Sequence, residues 1–256
     1  MEIAIVYSRN IITELIPASG RFEVLLEFPV KFEMPGEVEV EPLLLKFHDP
    51  GYVTEMKNHP FYHAAVENVR CIAKGVEILK SYSTVVVPVT AAGHLAERDR
   101  MRGYCLFNGL AIAASLMSEQ TEKVAIIETD AHHGVAAIVS SEKVEVFCLG
   151  GRKCRISDDL RCVLGRQVGK RYVESFEKMV ERVKRYEPRG IIWYLGADID
   201  SREYSEMELD VEDVKAIMAR MAEVAKGKKL LILLSSGSKP EVIRDFVAGI
   251  VNVFKK

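Results

Sequence analysis

The stretch Val124-Ala-Ile-Ile-Glu-Thr-Asp-Ala-His-His-Gly134 decides how this chain is read. Its first four residues are aliphatic, and the run then stops at Glu128, Asp130, His132 and His133. A continuous apolar run, rather than an alternating one, is the pattern of a strand covered on both faces. Such a strand has no structural need for two acids and two histidines at its tip.

Working outward, similar runs occur at Thr84–Val89, Val144–Phe147, Ile191–Leu195 and Lys229–Leu234. Helical periodicity precedes and separates them. Pro60 to Lys80 carries apolar residues at Ala64, Val66, Val69, Ile72, Ala73, Val76 and Leu79, and further helices are predicted over Asn108 to Met117 and about Gly165 to Arg185. Asp210 reads as an N-cap with Asp213 at the third helical position, and a last helix starts near Pro240. Alternating strands and helices predict an α/β protein, a three-layer αβα arrangement around a mostly parallel sheet. The N-terminal segment, with one strand and then Pro29, Pro35 and Pro42, gives no clear pattern.

No Pro/Gly/Ser-rich linker or charge block divides the chain, so residues 1–256 are expected to form a single domain. With 48% hydrophobic and 28% charged residues the chain can bury a sizeable core, and a net charge of -2 gives no electrostatic reason to expect nucleic acid or an anionic membrane as partner. The five cysteines are scattered with no Cys-x-x-Cys pair, which argues against a disulfide framework or a zinc finger. The N-terminus lacks the basic and long apolar regions of a secretory signal, and no apolar run approaches the ~20 residues needed to span a bilayer. A cytoplasmic protein is expected.

In open parallel sheets, ligands bind beyond the carboxyl ends of the strands. Following the strands there are Thr90-Ala-Ala-Gly-His94, Glu128-Thr-Asp130-Ala-His132, Gly196-Ala-Asp198-Ile-Asp200 and Ser235-Ser-Gly-Ser238. Acids and histidines therefore gather at one end of the sheet, on three of four tips. If the chain stays extended, Asp130 and His132 point the same way. With Asp198 as a third ligand they would make an Asp/His/Asp set with open positions, suited to a catalytic Zn²⁺ or Fe²⁺. The alternative is that Asp130 and His132 are only turn and cap residues.

Several segments resemble the histone deacetylase family, which includes acetoin-utilization proteins and acetylpolyamine amidohydrolases. Gly93-His94 through Gly103-Tyr-Cys-Leu-Phe-Asn108 is similar to its "H-H-A … G-[FY]-C-x-[FLV]-N" segment, and Ile127–Gly134 to its "D-x-D-x-H-H-G" strand end. Leu195–Ile199 resembles "G-x-D", His48–Val53 an early "H-x-x-x-Y-[VI]" segment, and Leu233–Val247 the closing strand and helix that carry "G-G-Y". The resemblance implies the arginase/deacetylase fold, with one divalent metal ion held by Asp130, His132 and Asp198. It implies metal-dependent hydrolysis of an acetyl-amide C–N bond by an activated water, on an acetylated-lysine, polyamine-type or other small-molecule substrate. His94, with Glu128 as its acidic partner, would do the proton work, and Gly103 and Tyr104 would line the substrate tunnel.

The departures fall at catalytic positions. The family's general-base histidine is Leu95 here, the acid that orients it is Val135, and the oxyanion tyrosine aligns with Ser238. Base and orienter are lost together. The loop after Val146, Cys148-Leu-Gly-Gly-Arg-Lys-Cys-Arg-Ile-Ser157, is short for this family. Ser238 reads as the N-cap of the last helix, Tyr52 or Tyr204 would be a substitute donor, and Asp200 an extra acid. His133, Cys105 and Trp193 read as packed residues, His59 and His63 as surface residues, and Tyr104 reads equally as a core aromatic. Three functions stay open: a divergent zinc-dependent deacetylase, a catalytically impaired protein that keeps a metal or small-ligand site, or a different metal-dependent reaction on the same scaffold with Asp200 as an extra acid.

Overall fold

Every apolar run singled out above is a strand in the computed structural model, which describes residues 2–16, 18–134, 139, 141–150, 162–164 and 167–255. The strands are β1 (Ile3–Val6), β2 (Lys31–Glu33), β3 (Thr84–Pro88), β4 (Val124–Asp130), β5 (Val144–Gly150), β6 (Cys162–Leu164), β7 (Gly190–Gly196) and β8 (Lys229–Ser235). They form one sheet in the order β2-β1-β3-β8-β7-β4-β5-β6. Each neighbouring pair is parallel. After β3 the chain builds outward through β4, β5 and β6, then returns to fill the middle with β7 and β8. The four central strands are therefore β3, β8, β7 and β4. Their carboxyl ends flank the place where the direction of winding reverses, which in such sheets is where ligands bind.

Helices cover the sheet. They are α1 (Glu41–Leu45), α2 (Pro50–Met56), α3 (Tyr62–Ile78), α4 (Gly109–Gln120), α5 (Gly169–Tyr186), α6 (Val211–Ala225) and α7 (Pro240–Phe254). The sequence did not announce α1, α2, β2 or β6, which are short or proline-flanked, nor the 3-10 stretch over Ser19–Glu27. It did announce α5, whose buried residues Tyr172, Phe176, Met179, Val180 and Val183 fall on one helical stripe. α6 begins as expected: the Asp210 carboxylate accepts the Glu212 and Asp213 N–H groups, and Asp213 accepts the Asp210 N–H. Leu230 to Leu234 of β8 are fully buried. Each such side chain contributes on the order of 2 kcal/mol relative to exposure. Trp193 is fully buried on β7, and its indole N–H donates to Thr129 Oγ1 at 2.8 Å. No helix among the described residues is long and apolar enough to cross a membrane.

Two buried asparagines fix the segment that follows β3. Asn68, on α3, donates to the Pro88 carbonyl at 2.8 Å and accepts the Thr90 N–H at 2.7 Å and the Ala91 N–H at 3.2 Å. Asn108 caps α4 by accepting the Ala111 N–H at 2.9 Å, and its amide donates to the Ala96 carbonyl at 3.0 Å and the His94 carbonyl at 3.4 Å. His48 Nε2 accepts the Asn108 N–H at 3.0 Å. An irregular backbone carrying His94 is thus held by side-chain amides in place of sheet hydrogen bonds. Replacing Asn68 by Ala leaves the Pro88 carbonyl and two buried N–H groups without their partner. Such a loss costs roughly 2–4 kcal/mol. A clear drop in the urea-unfolding midpoint of the Asn68→Ala variant is expected, and an unchanged midpoint would show that the segment is held by other contacts.

Candidate metal centre

Strand register places the polar tips on one face. Glu128 lies beside Tyr194, and Tyr194 beside Leu233. Two residues further along each strand, on the same face, come Asp130, Gly196 and Ser235, with Gly196 and Ser235 in register. Gly196 sits in the middle of this row because nothing larger fits: a Cβ there would run into the carboxylates of both Asp130 and Asp198. Gly134 plays the same part beside Glu128 and His94.

Asp130, His132 and Asp198 converge. One ligand atom from each lies within 4.8 Å of the others. His132 Nδ1 is 3.2 Å from Asp130 Oδ1 and 2.9 Å from Asp198 Oδ2. β4 ends at Asp130, so the extended geometry expected for Asp130 and His132 does not persist. A bend follows in which Asp130 Oδ1 accepts the His132 N–H at 2.8 Å, and the two side chains still meet. Both carboxylates are buried, and Asp198 Oδ1 accepts the Ala131 N–H at 3.1 Å. Asp198 Oδ2 is buried without a hydrogen bond among the described residues, although His132 Nδ1 is close by. An orphaned carboxylate oxygen that aims, with an imidazole nitrogen and a second carboxylate, at a common point suits a divalent cation: three O/N ligands with positions to spare.

The electrostatics agree with that fit. The hydrogen bond to Asp130 and the approach to Asp198 push the His132 imidazole up to about 10. Burial and the Asp130 charge raise Asp198, whereas Asp130, despite its burial, is held low by His94, His132 and the Ser236 hydroxyl. Two carboxylates packed this closely out of water require a compensating positive charge, which a proton on His132 or a divalent cation can supply.

His94 stands beside this group. Its Nδ1 is 2.7 Å from Glu128 Oε2, and its Nε2 is 3.7 Å from Asp130 Oδ1. The ring stacks on Tyr194 with centroids 4.1 Å apart. Burial opposes a charge on His94, but Asp130 and the Glu128 hydrogen bond outweigh it and raise its pKa. With Nδ1 engaged by Glu128, Nε2 is the nitrogen that faces the metal group.

A cavity of about 440 Å³ opens over these residues, lined by His94, His132 and Asp198 together with Leu95, Gly103 and Tyr104. Leu95 therefore occupies the wall of the site. Tyr104 is 48% exposed, which excludes the core-aromatic alternative and puts it at the cavity mouth. Tyr204 also lines the cavity and meets the His132 ring edge-on, with centroids 5.7 Å apart. Tyr52 does not reach the site: its hydroxyl donates to the Leu106 carbonyl. Asp200 is not an available acid, because Arg202 clamps both its oxygens, at 2.9 and 2.8 Å.

Ser238 corrects another expectation. The residue preceding α7 in cap position is Lys239, without a side-chain cap. Ser238 donates instead to Glu203 Oε2 at 2.8 Å, and Glu203 Oε1 accepts the Lys239 N–H at 2.7 Å. A carboxylate brought in from another loop replaces the local cap. His133 is packed and hydrogen-bonded as expected, 3.1 Å from Cys148 Sγ. Of the two surface histidines, His63 is exposed and His59 half-buried. Val135 and the segment 151–161 lie outside the described residues.

Sequence reasoning missed part of the lining. Arg21 reaches in from the N-terminal segment, donating Nε to the Ser236 carbonyl at 3.2 Å and Nη1 to the Ala18 carbonyl at 3.0 Å, and burial lowers it to about 10. Tyr194 and Ser235 pair through their hydroxyls at 2.6 Å, and Ser236 donates to Asp130 Oδ2 at 2.7 Å. Arg21 carried no local signal. The serines carried one, their place directly after a strand.

Comparisons with known proteins bear on the domain and the fold. The histone deacetylase domain family matches residues 35–149. An uncharacterized protein of Synechocystis sp. is 40% identical over 119 residues, covering 39% of each chain. Histone deacetylase 5 and histone deacetylase 18 of Arabidopsis thaliana are each 45% identical over 51 residues, 18% of this chain and 8% of theirs. The chain thus matches well under half the length of these relatives. In fold, the solved structure of the HDA15 HD domain superposes with a TM-score of 0.84 at 16% identity, covering 100% of this chain and 90% of that one. Over residues 35–149 the chain is thus similar to the histone deacetylase domain, and it shares the three-layer fold of the HDA15 HD domain.

Proposed function

We propose that this protein is a divergent metal-dependent amidohydrolase that cleaves the C–N bond of an acetylated amine, with zinc or ferrous iron held by Asp130, His132 and Asp198. The observation that carries the reading is the convergence of those three side chains from the tips of two neighbouring strands, β4 and β7, with Asp198 Oδ2 buried 2.9 Å from His132 Nδ1. A divalent ion there would polarise the amide carbonyl and acidify a water. The protein's own groups supply the rest. Glu128 orients His94 through Nδ1, so Nε2 can take a proton from the attacking water and return it to the leaving amine nitrogen. Gly103 and Tyr104 at the mouth hold the stem of an acetylated-lysine, polyamine-type or other small-molecule substrate. The scattered cysteines support a reducing compartment such as the cytoplasm.

Leu95 in the cavity wall and Ser238 tied to Glu203 support a second reading, in which the cation site is kept for binding and turnover is impaired. Loss of a single oxyanion donor costs ~10²–10³ in rate, so even the enzyme reading implies slow turnover.

Metal content decides first. Elemental mass spectrometry of the purified protein should find near-stoichiometric zinc or iron, lost in the Asp198→Ala variant. Absence of metal in both, with no uptake from added zinc, would sink the metal-centre reading. Restoring the missing pair by Leu95→His with Val135→Asp should raise amidohydrolase activity on acetylated amines at least tenfold if the site is a disabled deacetylase. A metal-loaded double variant that stays inert would favour the binding role. In the unmodified protein His94→Ala should abolish residual turnover while leaving metal content intact. Undiminished turnover would remove His94 from the proton path.

A further inference from the structure

Ser236 is a non-glycine residue with φ 54°, followed by Gly237 with φ 69°. Two successive left-handed residues right after a strand would ordinarily both be glycine, since a Cβ is disfavoured there. The conformation is uncommon for a residue with a Cβ, and the chain also adopts it at Ala18, Glu187 and Glu208. The surroundings of Ser236 show what its side chain does. The Ser236 hydroxyl donates to Asp130 Oδ2 at 2.7 Å, and the Ser236 carbonyl is gripped by Arg21 Nε at 3.2 Å. The left-handed backbone is therefore fixed from one side by a buried arginine and directs the hydroxyl to a single oxygen of Asp130.

That bond also sorts the two oxygens of Asp130. Oδ2 is occupied by Ser236. Oδ1 is the oxygen that faces the histidines, 3.2 Å from His132 Nδ1 and 3.7 Å from His94 Nε2. Asp130 comes from β4 and Ser236 from the residue after β8, with β7 between them. Gly196 on β7 has no side chain to block the span, and a Cβ at that position would strike Asp130 Oδ2. The glycine in the middle and the serine beyond it thus form one device acting on one carboxylate.

We propose that Ser236 is a positioning residue for the cation site: its hydroxyl locks the rotation of the Asp130 carboxylate so that Oδ1 is presented to the ion, and the chain accepts a left-handed serine for that purpose. This rests on the cation-site reading above. Partners that orient a ligating carboxylate typically contribute 10–100-fold to metal affinity.

The test is a zinc titration of the metal-stripped full chain against a competing chromophoric chelator, run on the unmodified protein, Ser236→Gly and Ser236→Ala, with melting temperatures of the metal-free forms. Glycine relieves the backbone while removing the hydroxyl; alanine removes the hydroxyl and keeps the strain. Both variants should bind zinc on the order of tenfold or more weakly. Metal-free Ser236→Gly should melt close to the unmodified protein, and Ser236→Ala should melt lower. A residue with a purely structural role would move the melting temperature and leave zinc affinity alone. Zinc affinity of Ser236→Gly equal to that of the unmodified protein overturns the proposal while leaving the cation site standing. No zinc uptake by the unmodified protein overturns both.

Discussion

Two carboxylates share one buried point in this molecule, and much of the surrounding structure accommodates them. Asp130 ends β4, Asp198 lies in the 3-10 turn after the neighbouring strand β7, and the two meet across His132. Like charges at that separation, out of water, are costly unless a positive charge sits between them. The neighbouring residues answer that demand. Gly196 leaves room for the carboxylates, Ala131 and Ser236 donate to their outward oxygens, and His94 and His132 supply nitrogen on the inward side. The parallel sheet supplies the framework. Its four central strands end at nearly the same level, so residues far apart in sequence arrive within a few ångströms of one another.

The site is asymmetric. On the Glu128 side, His94 is buried, stacked on Tyr194 and hydrogen-bonded, as a group that handles protons needs to be. On the opposite wall Leu95 faces the cavity where a second basic group would stand. The loop after β8 offers serines in place of a tyrosine, and each is engaged differently: Ser235 with Tyr194, Ser236 with Asp130, Ser238 with Glu203. The Asp130/His132/Asp198 group and the His94–Glu128 pair lie on one side of the cavity, and Leu95 and these serines on the other.

The first elements to be legible were those with continuous apolar runs, because their short length and β-branched residues favour a buried strand over a buried helix. The α6 cap was legible for a local reason, since Asp210 and Asp213 act on backbone groups within one turn. Short elements such as α1, β2 and β6 were not, because three to five residues carry too little periodicity to separate strand, helix and turn. Ser238 was misread because capping is local only when no competing partner is near, and Glu203 arrives from a different loop. Asp200 was misread likewise, its charge taken up by Arg202 two residues on.

The sequence by itself determined the fold class, the end of the sheet at which polar residues gather, and that Asp130, His132, Asp198, His94 and Glu128 stand at that end. These follow from patterns within single strands and from residue types at their ends. Only the tertiary structure decided that Asp130 and Asp198 close on one imidazole, that Tyr204 reaches the cavity and Tyr52 does not, and that Arg21 and Ser236 brace the site. Those facts depend on which strands lie side by side and on how far each tip turns after its last hydrogen bond. Neither is written in local spacing: β8 lies beside β3, where Thr84 pairs with Leu230 although the two are far apart in the chain.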